Sequence, residues 1–253
     1  MAPPHLPPCT LAVDCGGTGI KAAVLDGHGA MVSDRVRIQT PYPCPPARLV
    51  DALTELAGGL PEFDRVSVGL PGVVRAGRVL TTPHYVTEAG PFTTVRPDLV
   101  EEWRNFDVAD ALGRAWGRPV RAVNDAEMHG LAVVAGAGYE VVLTLGTGLG
   151  FAHFLDGVPL PKIEMSAHPI TKRHTYDERL GDHARRRVGN ERWTRRVIRA
   201  VRTLQRVFWW DRAYVGGGNA RHLTSALPEV TVVPNDSALL GGVRLWDSRA
   251  RLG

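Results

Sequence analysis

Cysteine, aromatic residues and long apolar runs are all scarce in this chain of 253 residues. Its three cysteines, Cys9, Cys15 and Cys44, lie in the first fifth of the chain, and no two of them have C-x-x-C spacing. We therefore expect no disulfide framework, no zinc site and a reducing, cytoplasmic setting. No apolar run approaches the roughly 20 residues that cross a bilayer, so we expect no membrane partner.

The first residues, MAPPHLPP, lack the basic start and the apolar centre of a secretory signal. We expect residues 1–9 to form a flexible, proline-rich tail. The rest of the chain has the composition of a globular protein, because 44% of its residues are hydrophobic. A chain of this length can bury one large core or form two lobes.

Two segments of the chain repeat one pattern, a strand followed by a glycine-rich turn and a second strand. They are LAVDCGGTGIKAAVLD, which begins at Leu11, and EVVLTLGTGLGFAHFL, which begins at Glu140. Helices and strands alternate after each segment. We expect an α/β fold with two lobes, each a β-sheet flanked by helices. The N-terminal lobe is predicted over 10–123, completed by 238–253, and the C-terminal lobe over 124–237.

Three further segments predict elements that bear on the site. Met31–Ile38 is predicted to be a third strand. NERWTRRVIRAVRTLQRVF is predicted to be a long helix with one apolar face. RAYVGGGNARHL is predicted to form a strand, a triple-glycine turn and a helix.

Glycine-rich turns between strands suit the binding of a phosphate chain. Glycine lets the backbone approach an anion closely, its N–H groups act as donors, and threonine hydroxyls add donors without charge. Ordinary hairpins with convenient glycines are the alternative, but two such turns plus a third glycine cluster favour phosphate. The candidate phosphate-binding residues are Asp14, Gly16, Gly17, Thr18, Lys21, Thr144, Gly146, Thr147, Gly148, Gly216, Gly217 and Gly218.

Two polar residues follow a strand between the predicted lobes, in the segment VNDAE. Transfer of a phosphoryl group to a hydroxyl needs a base near that hydroxyl, and Asp125 is the candidate. Asn124 beside it can hydrogen-bond a sugar hydroxyl. Both residue types are also common helix N-caps, which is the alternative explanation. Asp14, at the end of another strand, is placed to hold Mg²⁺ directly or through water.

These segments together resemble the ROK family of sugar kinases, which have the actin/hexokinase ATPase fold. DCGGTGIK and LTLGTGLG resemble its two phosphate motifs, YVGGGNARHL resembles the segment that meets the nucleotide, and VNDAE resembles the segment with the catalytic aspartate. The likeness runs from Leu11 to Trp246. It is greatest to polyphosphate-dependent glucokinases, whose first motif also reads D-x-G-G-[ST]-x-I-K.

The resemblance implies a phosphotransferase that moves a phosphoryl group from ATP or polyphosphate to a hydroxyl of a glucose-like hexose, with Mg²⁺. It implies Asp125 as the catalytic base, and it implies acceptor contacts from Gly72, Asn124, Glu164 and His168. Family members are often dimers, which is the reason to expect a homodimer. Too few residues precede the first strand for the helix-turn-helix of ROK repressors, so we expect no nucleic-acid partner.

The segment IEMSAHPI departs from the family pattern of a glutamate followed by x-Gly-His. Glu164 is present, but Ser166 replaces the glycine and Ala167 stands where the histidine is expected, with His168 one residue later. The acceptor can therefore be glucose, another sugar, an amino sugar or a cyclitol, and a non-catalytic sensor is a further alternative. Many family members also carry a zinc-binding cysteine cluster that is missing here, as it is in the polyphosphate-using relatives.

A dozen lysines and arginines lie between Lys172 and Arg206, with only four acidic residues among them. This charge indicates an anionic partner such as polyphosphate. Neutralising Arg195, Arg196 and Arg199 is then expected to weaken the use of polyphosphate more than the use of ATP. The alternative is a solvated helix face whose arginine stems cover apolar surface.

Overall fold

The computed structural model describes residues 7–234 and 237–247. Most of the predicted tail over 1–9 lies outside the described residues. The described helices are α1 (Pro46–Gly58), α2 (Pro97–Trp103), α3 (Val108–Trp116), α4 (Asp125–Val133), α5 (Tyr176–Leu180), α6 (Asp182–Val188), α7 (Asn190–Phe208) and α8 (Ser237–Arg244), with short 3-10 helices at Met165–Ala167 and Ala220–His222.

The described strands form two large sheets, a three-stranded sheet and a two-stranded hairpin. They are β1 (Thr10–Cys15), β2 (Gly19–Leu25), β3 (Val36–Gln39), β4 (Arg65–Leu70), β5 (Val73–Arg75), β6 (Arg78–Thr81), β7 (Phe106–Asp107), β8 (Val120–Asn124), β9 (Tyr139–Leu145), β10 (Leu149–Leu155), β11 (Val158–Pro159), β12 (Pro169–Thr171), β13 (His174–Thr175), β14 (Arg212–Gly216) and β15 (Thr231–Val232).

The two large sheets have the same topology. Their strand orders are β3-β2-β1-β4-β8 and β11-β10-β9-β14-β15. In each sheet the first three strands in chain order are antiparallel, and the last two run parallel to the first. The carboxyl ends of parallel strands meet at one edge of a sheet, and this edge is where ligands bind in open α/β folds.

This topology gathers the predicted motifs at two sheet edges. Asp14 of β1 lies opposite Gly69 of β4, and Leu70 lies opposite Asn124 at the end of β8. The first glycine turn, the Pro71-Gly72 turn and the VNDAE segment therefore share one edge. In the second sheet Thr144 lies opposite Gly216, so the second glycine turn and the triple glycine share the other edge.

Helix α4 follows the first sheet and packs on the second. A Cβ atom on Gly130 would lie 2.4 Å from the ring of Phe154 in β10, so glycine allows this close approach. The same helix packs tightly against α8, where a Cβ on Gly241 would meet the carbonyl of Met128. Helix α4 thus connects the two sheets at their adjoining edges.

The last helix, α8, returns to the first sheet. Its Leu239 and Val243 pack in one buried cluster with Ala12 and Ala23 of β1 and β2. The hydroxyl of Ser67 in β4 donates to the carbonyl of Gly242 at 2.6 Å. These contacts pack α8 against the first sheet. The division into lobes, between residues 123 and 124 and between residues 237 and 238, stays a prediction.

The large cores form under helices whose apolar spacing is visible in the sequence. Leu49 and Leu53 of α1 are fully buried against the first sheet. In α7 the large buried apolar residues recur every three or four positions, as the predicted helix face requires. They are Trp193, Val197, Val201 and Leu204. The ring of Phe208 packs on Phe151 of β10 with 4.8 Å between centroids.

Two predicted elements differ from the structure. The third strand begins only at Val36, because the Ser33 hydroxyl accepts the N–H of Val24 and interrupts the ladder; Met31 makes a single bridge to Leu25. The segment after the triple glycine forms one 3-10 turn rather than a helix, since Asn219 is tied to the second glycine turn. None of the helices in the described part of the chain is long and apolar enough to pass through a lipid bilayer.

Candidate active site

The first glycine turn, residues 16–18, is held through its carbonyl oxygens. The Thr40 hydroxyl donates to the carbonyl of Gly16 at 2.8 Å, and the Tyr42 hydroxyl donates to that of Gly17 at 2.7 Å. Within residues 7–234 and 237–247, no acceptor is found for the N–H groups of Gly17 and Thr18. The carbonyls of this turn therefore accept hydrogen bonds from the protein, whereas the N–H groups of Gly17 and Thr18 stay available to an anion.

The second glycine turn, residues 146–148, is held in the same way. The Asn219 side chain donates to the carbonyl of Gly146 at 2.8 Å, and the Asp182 N–H donates to the carbonyls of Gly146 and Thr147 at 3.0 and 3.2 Å. The N–H groups of Thr147 and Gly148 have no acceptor among the residues that the structure describes. Each large sheet thus presents one turn with free amides.

A carboxylate from α5 supports the second turn. Asp177 accepts the N–H of Leu149 at 2.6 Å. A Cβ on Gly148 would lie 2.2 Å from the Asp177 carboxylate, so a side chain at position 148 would displace this carboxylate. Burial raises the pKa of Asp177 to about 6, and the hydrogen bond from Leu149 opposes that rise.

The triple glycine lies directly beside the second turn. Gly217 has a left-handed φ of +86°, and a Cβ there would lie 2.5 Å from the carbonyl oxygen of Leu145. The N–H of Asn219 donates to the same carbonyl at 2.8 Å. Gly218 has open space around its Cα, so its backbone is accessible to a ligand.

Asp14 and Lys21 face each other across the β1–β2 hairpin that carries the first turn. The Lys21 ammonium lies 3.4 Å from the Asp14 carboxylate, and both side chains are partly exposed. Mg²⁺ usually takes one or two protein carboxylates and completes its shell with water and phosphate oxygens. Asp14 fits that role, although no group of three or more metal-binding side chains occurs among the described residues.

Asn124 is the N-cap of α4, as the alternative explanation requires. Its Oδ1 accepts the N–H of Ala126, and Glu127 accepts the N–H of Asn124 in return. Both amide hydrogens of its side chain are also used, since they are donated to the carbonyls of Leu70 and Gly72. The capping box also directs the N–H of Glu127 to this oxygen, so the hydrogen-bonding groups of the Asn124 side chain are all engaged within the protein.

Gly72 is fixed beside Asn124 by backbone geometry. It has a left-handed φ of +102°, and a Cβ there would lie 2.1 Å from the carbonyl oxygen of Thr81. Its own carbonyl accepts the 2.8 Å hydrogen bond from Asn124. The Pro71-Gly72 turn and the start of α4 therefore form one rigid unit.

Asp125 is the first residue of α4, and its carboxyl group is the central acid of the site. Burial raises the pKa of Asp125 to about 7, and the nearby charge of Asp14 raises it as well. Lys162 and the N–H of Ala126 act in the opposite direction, and Glu164 adds a weaker repulsion. A carboxyl group with a pKa near neutrality suits proton transfer at physiological pH.

Glu164 lies near the two other acids of the cleft. Its charge contributes to the raised pKa values of both Asp125 and Asp177. The Ser166 hydroxyl hydrogen-bonds the Glu164 carboxylate and orients it. Glu164 therefore lies near both acids, and its contact with the acceptor stays a prediction.

The structure does not bring His168 to this cluster. His168 is exposed, and its ring packs against Tyr176 with 6.2 Å between ring centroids. Its backbone N–H closes the 3-10 turn by donating to Met165. The one-residue shift relative to the family pattern has turned this side chain outward.

Three residues of the cluster are not among the predicted site residues. Lys162 carries the positive charge that acts on Asp125 and Asp177, and its ammonium donates to the carbonyl of Phe151 at 2.6 Å. Asp177 supports the second turn, and His84 contacts the first. No local motif marks Lys162 or Asp177. His84 lies in the stretch TTPHYVTEAGPF, where acceptor contacts are expected from the resemblance but no single residue stands out.

The arginines of α7 divide into two sets. One set lines a groove of about 370 Å³ along the helix and consists of Arg195, Arg199, Arg202 and Arg206. Arg196 belongs to the other set, since its pKa is lowered by burial and by the charges of Arg179, Arg192 and Arg187. The three arginines singled out for polyphosphate binding therefore do not share one surface.

A family model described as the ROK family matches residues 10–161, which is more than half of the chain. The chain belongs to the ROK family. Polyphosphate glucokinase from Mycobacterium tuberculosis (strain ATCC 25177 / H37Ra) is 28% identical over 226 residues, which are 85% of this chain and 80% of that protein.

Solved structures of ROK-type kinases share the fold. Inorganic polyphosphate/ATP-glucomannokinase from Arthrobacter sp. strain KM matches with a TM-score of 0.75 and 26% identity, covering 94% of this chain and 97% of that one. A ROK family glucokinase from Streptomyces griseus, solved with glucose and AMPPNP, matches with a TM-score of 0.73 and 19% identity, covering 97% and 100%. The predicted two-lobed actin/hexokinase-like α/β fold is confirmed.

The raised pKa of Asp125 can be measured directly. We expect the Asp125 carboxyl carbon to titrate near pH 7 in ¹³C NMR spectra of the ligand-free protein. The variant Asp14→Asn should lower that pKa, because it removes a repelling charge. The variant Asp110→Asn, which changes an exposed carboxylate on α3, serves as the control and should leave it unchanged. Titration of Asp125 at the ordinary aspartate value would contradict this account of the site.

Proposed function

We propose that this ROK family protein is a sugar kinase that transfers a phosphoryl group from ATP or polyphosphate to a hydroxyl of a glucose-like hexose. The observation that carries the proposal is the arrangement at the two sheet edges. One turn with free amides belongs to each sheet. Asp125, with a pKa of about 7, begins the helix that connects the two sheets. Such a site combines N–H groups that can hydrogen-bond phosphate oxygens with a general base.

The names of the relatives support a hexose acceptor and both donors. The Mycobacterium tuberculosis relative is a polyphosphate glucokinase, and the Arthrobacter enzyme is named as a glucomannokinase that uses inorganic polyphosphate or ATP. The Streptomyces griseus glucokinase was solved with glucose and a nucleotide analogue. The present chain shares their fold over more than nine-tenths of its length.

The proposed roles follow from what each group can do. The amides of Gly17, Thr18, Thr147 and Gly148 hold phosphate oxygens, with Lys21 adding charge. Asp14 holds Mg²⁺, which neutralises phosphate charge when bound. Glu164 orients the acceptor by a hydrogen bond to one of its hydroxyls, and Asn124 holds the carbonyl of Gly72 so that the Pro71-Gly72 turn stays beside the acceptor.

Asp125 acts on the reacting hydroxyl. As the acceptor oxygen forms its bond to the terminal phosphorus, the hydroxyl proton passes to the Asp125 carboxylate. The bond between that phosphorus and the bridging oxygen of the donor breaks, and the shortened donor leaves with the electron pair. The carboxylate must be ionised to accept the proton, so kcat/KM should fall as the pH falls below about 7.

Replacing Asp125 tests the proposed base. Asp125→Asn should lower kcat with glucose and ATP by about 100-fold or more, because the general base is lost. The same variant should melt at a higher temperature than the wild type at pH 8. The raised pKa means that the ionised carboxylate destabilises the folded state above pH 7, and the amide removes that charge.

The control for this experiment is Asp110→Asn, for which turnover and melting temperature should stay near the wild-type values. Turnover by Asp125→Asn close to that of the wild type would remove Asp125 from the mechanism. A wild-type protein that binds hexoses but transfers phosphate to none of them would contradict the kinase assignment.

The groove along α7 supports polyphosphate as one donor. Polyphosphate is a long polyanion, and a row of arginines binds it through charge. The double variant Arg195→Ala/Arg199→Ala should raise the KM for polyphosphate by about tenfold or more and leave the KM for ATP nearly unchanged, and the polyphosphate KM of the wild type should rise with salt.

Two exposed arginines of the first lobe provide a control with the same change of charge. Arg104→Ala/Arg114→Ala should change neither KM, since these residues lie on α2–α3 surfaces and pair with neighbouring acids. Equal effects of the α7 variant on both donors, or of both double variants on polyphosphate, would refute a role for this groove.

A further inference from the structure

A histidine outside the glycine turns and the aspartate segment, His84, lies beside the first glycine turn. The side chain of His84 is 9% exposed. A Cβ on Gly17 would lie 2.7 Å from the Cδ2 atom of its ring, so the imidazole and the turn are in direct contact. The following residue, Tyr85, is fully buried and packs on Trp103 with 5.4 Å between ring centroids, which anchors this segment to the core.

The loop after His84 is closed by hydrogen bonds. The Thr87 hydroxyl donates to the carbonyls of His84 and Gly90, at 2.5 and 2.8 Å. The Thr93 hydroxyl adds a bond of 2.7 Å to Gly90. His84 is therefore held in place by its own loop, independently of any ligand.

The imidazole of His84 lies within range of the charge of a residue predicted to contact the acceptor, Glu164. Glu164 lies close enough for its charge to act on His84, and the same carboxylate acts on Asp125. The ring nitrogens of His84 form no hydrogen bond with any described residue. Neither nitrogen is completely shielded from solvent. Both nitrogens are thus open to a ligand next to Glu164.

Burial lowers the pKa of His84 to about 4, so its ring is neutral at physiological pH. A neutral imidazole offers one N–H donor and one nitrogen acceptor, which matches a sugar hydroxyl. On its open side the ring of Phe92 lies 6.5 Å away, and Phe92 contacts His183 of α6 at 6.2 Å. These ring contacts connect the loop that carries His84 to α6.

The sugar-binding histidine of the family pattern is missing from its expected position in this chain. Ala167 stands where a sugar-binding histidine is expected, and His168 is exposed against Tyr176. We propose that His84 binds the acceptor by hydrogen-bonding one of its hydroxyls, in place of the histidine that is missing at position 167. The inference rests on the proposed sugar kinase function and assigns a specificity-determining contact within it.

Three variants test the proposal: His84→Ala, His84→Gln and, as the control, His168→Ala, which removes an exposed histidine. The probes are d-glucose and ATP in steady-state assays, together with calorimetric binding of d-glucose in the absence of donor. His84→Ala should raise both the KM and the Kd for glucose by about 10- to 100-fold, since a buried hydrogen bond to the substrate is lost. The KM for ATP should change by less than about threefold, because the glycine turn is held by Thr40 and Tyr42.

His84→Gln should recover part of the lost affinity for glucose, since the amide of Gln can still hydrogen-bond a hydroxyl. The control, His168→Ala, should match the wild type. An unchanged glucose KM in both His84 variants would overturn the proposal. Equal rises in the KM of glucose and ATP would also overturn it, because His84 would then only support the turn at Gly17. If His84→Ala does not fold, the glucose Kd of His84→Gln decides.

These outcomes are distinguishable from failure of the proposed function. A wild-type protein that phosphorylates no hexose in a panel with either donor refutes the kinase assignment, whatever the His84 variants do. An active wild type with unaffected His84 variants refutes the His84 contact alone.

Discussion

The site depends on the hydrogen bonds that the carbonyl oxygens of its two glycine turns accept from the protein. Side chains or backbone groups from neighbouring elements donate to these carbonyls in both turns: Thr40 and Tyr42 in the first, Asn219 and Asp182 in the second. This fixes the peptide planes so that the following amides have no acceptor in the described protein. Unpaired donors on a rigid backbone favour an anion, and no side-chain charge is needed to create that preference. Two sheets of identical topology place one such turn each at their adjoining edges.

The position of Asp125 lowers the stability of the folded protein. A buried carboxylate near the charges of Asp14 and Glu164 is less stable in its ionised form than it would be in water. The structure keeps it there because α4 is fixed at both ends: Asn124 caps its start and holds the Leu70–Gly72 turn, and Gly130 and Gly241 let β10 and α8 pack closely. The stability lost at the acid is therefore the consequence of a position that suits proton transfer, and the surrounding packing compensates for it.

Much of the fold and part of the site could be predicted from the sequence. The two strand–turn–strand segments, α1, α7 and the N-cap at Asn124 follow from local patterns that act over a few residues. The contributions of Lys162, Asp177 and His84 could not be predicted, because each reaches the site through contacts between distant segments. His168 illustrates the same limit. One residue of shift along the chain turned an expected acceptor contact to the surface, while a histidine more than 80 positions earlier lies within range of the charge of Glu164.

The central claim is that both glycine turns hold one phosphate chain whose terminal phosphorus faces the acceptor at Asp125. A crystal structure with Mg²⁺, AMPPNP and d-glucose tests it most directly. The account predicts the nucleotide phosphates within hydrogen-bond distance of the amides of Gly17, Thr18, Thr147 and Gly148, and a glucose hydroxyl about 3 Å from the Asp125 carboxylate. Phosphates bound away from either turn, or a sugar whose hydroxyls do not reach Asp125, would contradict it.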